Sequence, residues 1–336
     1  QEIIAPMERF QKLALAALVS VLLLLFVGAI VRATGSGLGC PDWPKCWGKL
    51  IPPTRAEQVD LNKINLEKFR RKAERHGRDP ASITRESLRA EFNPVHTWVE
   101  FINRLFAMPV GLLTLALMVA SFWQWSRRPF VCILSVGSFL LVLLNAELGR
   151  RVVLSGLKPG VITLHMTLAI MLLCLLVYVA WRGRSDPWCR PLQGRGARVA
   201  WALGLAVFVL TVAEGVMGAR VRELTDAMAL SKGSETRAEW SMELKNSAVY
   251  LVHRSFSWLI VVGSAAFLIM VRKTHEGGLR WPEKLVGFLV GGLLVMGVVL
   301  SHVGVLPVIQ VLHVGAAAVL VVVLFFWLLA TRPRAA

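Results

Sequence analysis

Residues 285 to 331 contain no Asp, Glu, Lys or Arg. A charge-free apolar stretch of that length is foreign to a soluble core helix, and it is about twice the roughly 20 residues needed to cross the hydrocarbon of a bilayer. Pro307, close to Gly304, divides it into two helices. Six further uncharged stretches, 13 to 31, 105 to 126, 129 to 146, 159 to 181, 199 to 213 and 255 to 271, bring the expected number of spans to eight. They lack the alternation of a membrane barrel, and lipid admits only helices or closed barrels. With 55% hydrophobic and 18% charged residues, the chain reads as an all-α integral membrane protein.

Basic residues sort the short connections. Arg127 and Arg128, then Arg182, Arg184, Arg190, Arg195 and Arg198, then Arg272, Lys273, Arg280 and Lys284, and finally Arg332 and Arg334 fall on one side. That side is expected to be cytoplasmic, with both termini on it and a bacterial inner membrane as the location. The outer side receives the loops 35 to 95, about 149 to 158, about 220 to 249 and a turn near 304 to 308. The net charge of +17 then reflects topology and contact with anionic lipid. Nucleic-acid binding is excluded as a reading, because no basic face is interleaved with exposed aromatics. The N-terminus shows no pattern of secretory cleavage, so the first span reads as an anchor that stays.

The chain repeats itself. GAIVR at 28 to 32 closes the first span and GARVR at 218 to 222 the fifth, while EFINRLF at 100 to 106 matches YLVHRSF at 250 to 256. Pro159 precedes His165 by the same interval that Pro307 precedes His313. Two tandem pseudo-symmetric four-helix bundles are therefore expected, one within residues 1–185 and one within 186–336. Both start inside, which makes them a parallel repeat about the membrane normal.

Asn103, His165, His253 and His313 each fall a few residues into a span that runs from outside to inside, so they share a layer in the outer leaflet. A lone histidine in an apolar helix is usually a satisfied core residue. Matched depth in matched helices points instead to ligands. Two imidazoles from facing helices suit a haem iron, whereas zinc or copper needs more N or S donors converging on one point. His253 and His313 supply such a pair; Asn103 and His165 do not. One half thus reads as built to keep a haem and the other to hold a porphyrin loosely.

Glu100 lies one turn before Asn103, as a proton acceptor or charge stabiliser beside a substrate or as one half of an ion pair with Arg104 or Arg32. Arg104, Arg254, Arg32 and Arg222 are candidate contacts for haem propionates, and the last two sit at expected helix ends where snorkelling serves equally well. Cys40 and Cys46 are the outside thiols, since Cys132 and Cys174 fall within spans and Cys189 on the inner side. They read as a disulfide, either a structural staple or a redox-active pair.

TGSGLGCPDWPKCWG at 34 to 48 followed by IPP, the E-x-x-N-R segment at 100 to 104, L-x-P-x-x-x-x-L-H at 157 to 165, HRSF at 253 to 256 and LPVIQVLH at 306 to 313 resemble the haem A synthase family over nearly the whole chain. The resemblance implies an eight-span oxidoreductase that converts a methyl group of haem O to a formyl group by successive hydroxylations, making haem A for terminal oxidases. It implies a haem b on His253 and His313, substrate haem O in the first half near Glu100 with His165, Asn103 and Arg104, and a disulfide or a part in electron or haem transfer for Cys40 and Cys46. Haem O synthase and oxidase assembly factors join haem O and lipid as implied partners. The chain departs from the pattern at Asn103, where the family has histidine, and in its third outer loop, which has no cysteine. His96, two turns earlier, is the other imidazole near that position. A b-type electron-transfer cytochrome and a haem carrier are the competing classes. The first usually stacks haems on both membrane sides, and the second has no use for Glu100.

Overall fold

Where prolines and capping side chains end the connections, helices begin. Asn93 accepts a hydrogen bond from the His96 backbone N–H (3.1 Å) with Pro94 in the first turn, and Pro129 and Pro307 occupy the same place in their helices, where a missing N–H costs nothing. The computed structural model of the protein describes residues 8–75, 79–194, 196–232, 237–274 and 278–333. Arg195 and Arg334, counted above among the inner-side cations, lie outside them.

In chain order the helices are α1 (Arg9–Ala33), α2 (Leu66–Arg75), α3 (Arg85–Ala90), α4 (Pro94–Ser121), α5 (Pro129–Leu154), α6 (Val161–Arg182), α7 (Ala197–Lys232), α8 (Arg237–Asn246), α9 (Ala248–Thr274), α10 (Trp281–His302) and α11 (Pro307–Ala330). All but α2, α3 and α8 are long and apolar enough to cross a membrane, eight among the described residues, and no strand occurs there. Several hydroxyls inside them are satisfied locally: Thr114, Ser135, Thr211 and Thr225 each donate to the carbonyl four residues back.

Several helices outrun the charge-free stretches that foretold them. The stretch 199 to 213 becomes α7, about 54 Å long at 1.5 Å per residue and well beyond a bilayer core of roughly 30 Å. Helical hydrogen bonding continues past the first charged residue as long as neighbours or water accommodate it. Arg222 consequently lies inside α7, ten residues before its end, and not at a helix terminus as expected.

α4 packs on α1 and α5, and α6 on the same two helices; α9 packs on α7 and α10, and α11 on the same two. In each ring the helix bearing position 103 or 253 therefore stands diagonally across from the one bearing His165 or His313. Apolar packing fills the end of each ring away from those residues: Leu117, Val131, Leu173 and Leu176 in one cluster, and Val207, Phe267, Leu320, Leu324 and Trp327 in the other. Glu283, 1% exposed, accepts the Trp327 indole N–H at 2.7 Å. At the start of α1, hydrogen bonds from the Ser185 hydroxyl and backbone hold the Glu8 carboxyl below its usual range.

The two rings meet where α1 and α6 pack against α11 and α6 against α7. Polar contacts lock this seam. Asp226 pairs with Arg32 of α1 and, at 2.8 Å, with Arg222 of its own helix, and Arg222 also donates to the Arg32 carbonyl. The buried Glu223 carboxylate accepts the backbone N–H groups of Gly160 (2.7 Å) and Thr163 (2.9 Å) at the N-terminus of α6, a position where the helix dipole favours negative charge. Asp226→Ala would leave two mostly buried guanidiniums facing each other. It is expected to destabilise the protein by about 3 kcal/mol, and the thermal midpoint of detergent-solubilised protein checks this; an unmoved midpoint would show that the clamp contributes nothing.

Candidate functional site

Each of the four matched positions faces a glycine on the next helix of its ring. A Cβ built on Gly28 of α1 would stand 3.8 Å from Asn103 Oδ1, and one on Gly149 of α5 3.5 Å from His165 Cε1. In the second ring a Cβ on Gly218 of α7 would stand 3.4 Å from His253 Cε1, and one on Gly297 of α10 3.9 Å from His313 Cε1. The absent side chains let the edge of each ring or amide come close to a helix backbone. His313 Nδ1 and Asn103 Oδ1 are buried, with no hydrogen-bond partner among the described residues, whereas the buried His253 Nδ1 lies 3.1 Å from Glu214 Oε1.

This arrangement fits a flat macrocycle between diagonal helices. Among the described residues no three His, Cys, Asp or Glu side chains converge as a metal centre. At the matched positions the second ring offers two imidazoles, His253 and His313, the number a haem iron takes axially, and the first ring offers one, His165, opposite the Asn103 amide; His96 and His302 lie near the ends of α4 and α10.

Glu100 and Arg104 turn towards the outer loop. Glu100, 3% exposed, accepts the Cys40 backbone N–H at 2.7 Å and the Arg104 guanidinium at 2.7 Å. Arg104 also donates to the carbonyls of Cys40 (2.9 Å) and Lys45 (3.0 Å). Of the two ion pairs foreseen for Glu100, the one with Arg104 is thus formed, and Arg32 is committed to Asp226. Cys40 and Cys46 are joined by a disulfide and both are buried. Their ring is closed over by Trp47, whose indole N–H donates to the Gly39 carbonyl (2.8 Å) and lies 3.1 Å from the Thr97 hydroxyl, and whose face meets the edge of Phe92. Asp42 accepts the backbone N–H groups of Trp47 and Gly48 at 2.7 and 2.8 Å. A Cβ on Gly39 would come within 2.2 Å of the His96 carbonyl oxygen, so only glycine lets the loop lie directly on α4. The glycines and the disulfide seat this loop on the N-terminal end of α4, the helix that carries Asn103.

Protein isolated without reductant is expected to carry Cys40 and Cys46 linked, as peptide mapping after alkylation will read; both thiols freely alkylated would contradict it. A closure this short contributes less than the roughly 3 kcal/mol of a 15-residue loop.

Of the remaining cations, Arg254 is exposed next to His253, while Arg32 and Arg222 direct terminal nitrogens at the seam, and the buried Nε of each has no partner among the described residues. His96 lies at the loop contact and Tyr250, the counterpart of Glu100, donates to Ser301 at 2.7 Å. Glu214, Glu223, Asp226 and the four glycines were not picked out from the sequence as site residues. For the glycines a signal existed: Gly28 and Gly218 open the repeated GAIVR and GARVR, and Gly149 and Gly297 precede His165 and His313 by the same interval.

The family model described as COX15-CtaA, cytochrome oxidase assembly protein, matches residues 11–325. The chain is similar to the Heme A synthase of Rhizorhabdus wittichii, at 26% identity over 96% of this chain and 94% of that one. It is also similar to those of Rhodospirillum centenum, 29% over 75% and 68%, and Shouchella clausii, 26% over 79% and 77%.

Proposed function

The chain belongs to the COX15-CtaA family of cytochrome oxidase assembly proteins, and from that membership we propose that it is a haem A synthase, an oxidoreductase acting on haem O in support of terminal oxidase assembly. The methyl group of haem O becomes a formyl group: two hydroxylations give a geminal diol, which loses water to the aldehyde. The observation that carries the reading is the fourfold pairing of a glycine with a ligand position, two pairs on diagonal helices in each ring.

In this reading residues 1–185 receive the substrate and residues 186–336 hold a resident haem. His253 and His313 would hold it through their imidazoles, with Arg254 available to a propionate. The chemistry a haem b would supply there is one-electron transfer near the outer membrane surface. In the first ring His165 binds the iron of haem O on one side and Asn103 faces it on the other. Glu100 and Arg104 fix the outer loop above that slot, and the Trp47–Phe92 cluster keeps water from its rim. Glu100 is also the carboxylate nearest in sequence to Asn103 and is assigned the removal of protons as the methyl carbon is oxidised. The Cys40–Cys46 pair is a staple of the loop in its bonded form. The membrane is the bacterial inner membrane, with both termini cytoplasmic by the distribution of short-loop cations.

Expression in cells that make haem O but lack their own haem A synthase tests this. Extraction and separation of the pigments should yield haem A; haem O alone, with the protein present in the membrane, would overturn it.

A further inference from the structure

Glu214 is a carboxylate inside α7 at the level of the second-ring slot, where an ionisable group calls for a partner or a task. Its Oε1 lies 3.1 Å from His253 Nδ1 and receives the Ser257 hydroxyl at 2.5 Å. Ser257 sits one turn beyond His253 on α9 and its hydroxyl is also 3.0 Å from the His253 carbonyl. Glu214 Oε2 is buried without a partner among the described residues. One turn along α7, Gly218 backs the same imidazole at Cε1. One helix therefore presents flat backbone to the ring's edge and an acceptor to its Nδ1, leaving Nε2 as the nitrogen free for an iron.

The first ring is built differently at this place. One turn before Gly28, where Glu214 stands before Gly218, α1 has Leu24, and the residue faced is Asn103. The carboxylate thus accompanies the two-imidazole slot and is missing from the one-imidazole slot. A structural ion pair would not need that correlation.

We propose that Glu214 is a positioning residue for the resident haem: it accepts the Nδ1–H of His253, sets the tautomer and orientation of the ring, and makes the imidazole a stronger donor to iron. The proposal rests on the reading of His253 and His313 as haem ligands. Carboxylates bonded to the second nitrogen of a ligating histidine act in this way on metal sites, and a stronger axial donor favours the oxidised iron. The second-ring haem is accordingly tuned to a lower midpoint potential than an unsupported bis-histidine haem on the same helices would have.

The test uses purified full-length protein with its bound haem. Glu214→Gln keeps the shape and removes the charge; it should retain low-spin haem with the midpoint potential shifted upwards. Glu214→Leu, which copies the first ring, should weaken haem retention by about tenfold to a hundredfold, read by titrating haem into apoprotein. An unshifted potential in Glu214→Gln together with unaltered retention in Glu214→Leu would overturn the proposal. If His253→Ala retains an unaltered low-spin spectrum, the ligand reading itself is what fails, so the two failures are distinguishable.

Discussion

Replacing His253 or His313 with alanine should remove the low-spin haem absorption from the purified protein. The two residues are the imidazoles of one ring, on helices that each pack on α7 and α10 and face each other across the space between. Each is backed by a glycine; the buried His313 Nδ1 has no hydrogen-bond partner among the described residues, and the His253 Nδ1 faces Glu214 Oε1 at 3.1 Å, which leaves its Nε2 for an iron. Losing one of two axial bonds leaves a five-coordinate, high-spin iron or no iron at all. The protein itself should persist: the second apolar cluster, built on Phe267, Leu324 and Trp327, involves neither histidine. A low-spin spectrum unchanged in both variants would sink the assignment, whereas loss in both, with normal elution of the protein from a sizing column, carries it.

The sequence was legible where a single residue type or a repeat does the work. Spans follow from missing charge, and the glycine-backed positions 103, 165, 253 and 313 stand out in matched intervals such as Pro159 to His165 and Pro307 to His313. The geometry of partners was legible only in part. Arg32 and Arg222 look like propionate contacts from sequence because each closes the same motif, yet the structure spends both on Asp226. That acid is one turn beyond Arg222 in α7, and its counterpart beyond Arg32 is Ser36; a break in the repeat hides from a search for matches. Glu214 and Glu223 escaped for another reason. A charge ends a charge-free stretch: Glu214 stands just past the run 199 to 213 and Glu223 falls in the expected loop of about 220 to 249, although α7 carries both helically to Lys232. Their roles depend on which neighbour arrives opposite, His253 in one case and the start of α6 in the other, and that is set by packing between segments far apart in sequence.

Substrate haem, in contrast to the resident one, should be held on one side only, and this makes the first ring the place where single changes abolish the reaction. His165 is the sole imidazole proposed for that slot, backed by Gly149, and His165→Ala is expected to lose nearly all conversion of haem O to haem A while the second-ring haem remains. Asn103 is a poor iron ligand, so protein loaded with haem O and reduced should bind carbon monoxide at this iron. Asn103→His, which copies position 253 beside a glycine, should abolish that binding and give a second low-spin haem. Glu100 separates two physical roles. As an acceptor of the Cys40 N–H and the Arg104 guanidinium it holds the loop, and glutamine at this position keeps an oxygen for the backbone N–H; as a proton acceptor it cannot be replaced by an amide. General-base catalysis is worth roughly 10²–10⁴-fold, so Glu100→Gln should cut haem A formation by about that factor with the Cys40–Cys46 bond and the resident haem intact. Supplying each variant with haem O and quantifying haem O and haem A decides it: near-normal haem A from Glu100→Gln would leave that carboxylate a tether of the loop, and carbon monoxide failing to bind the loaded wild-type protein would show that a second ligand closes the Asn103 side.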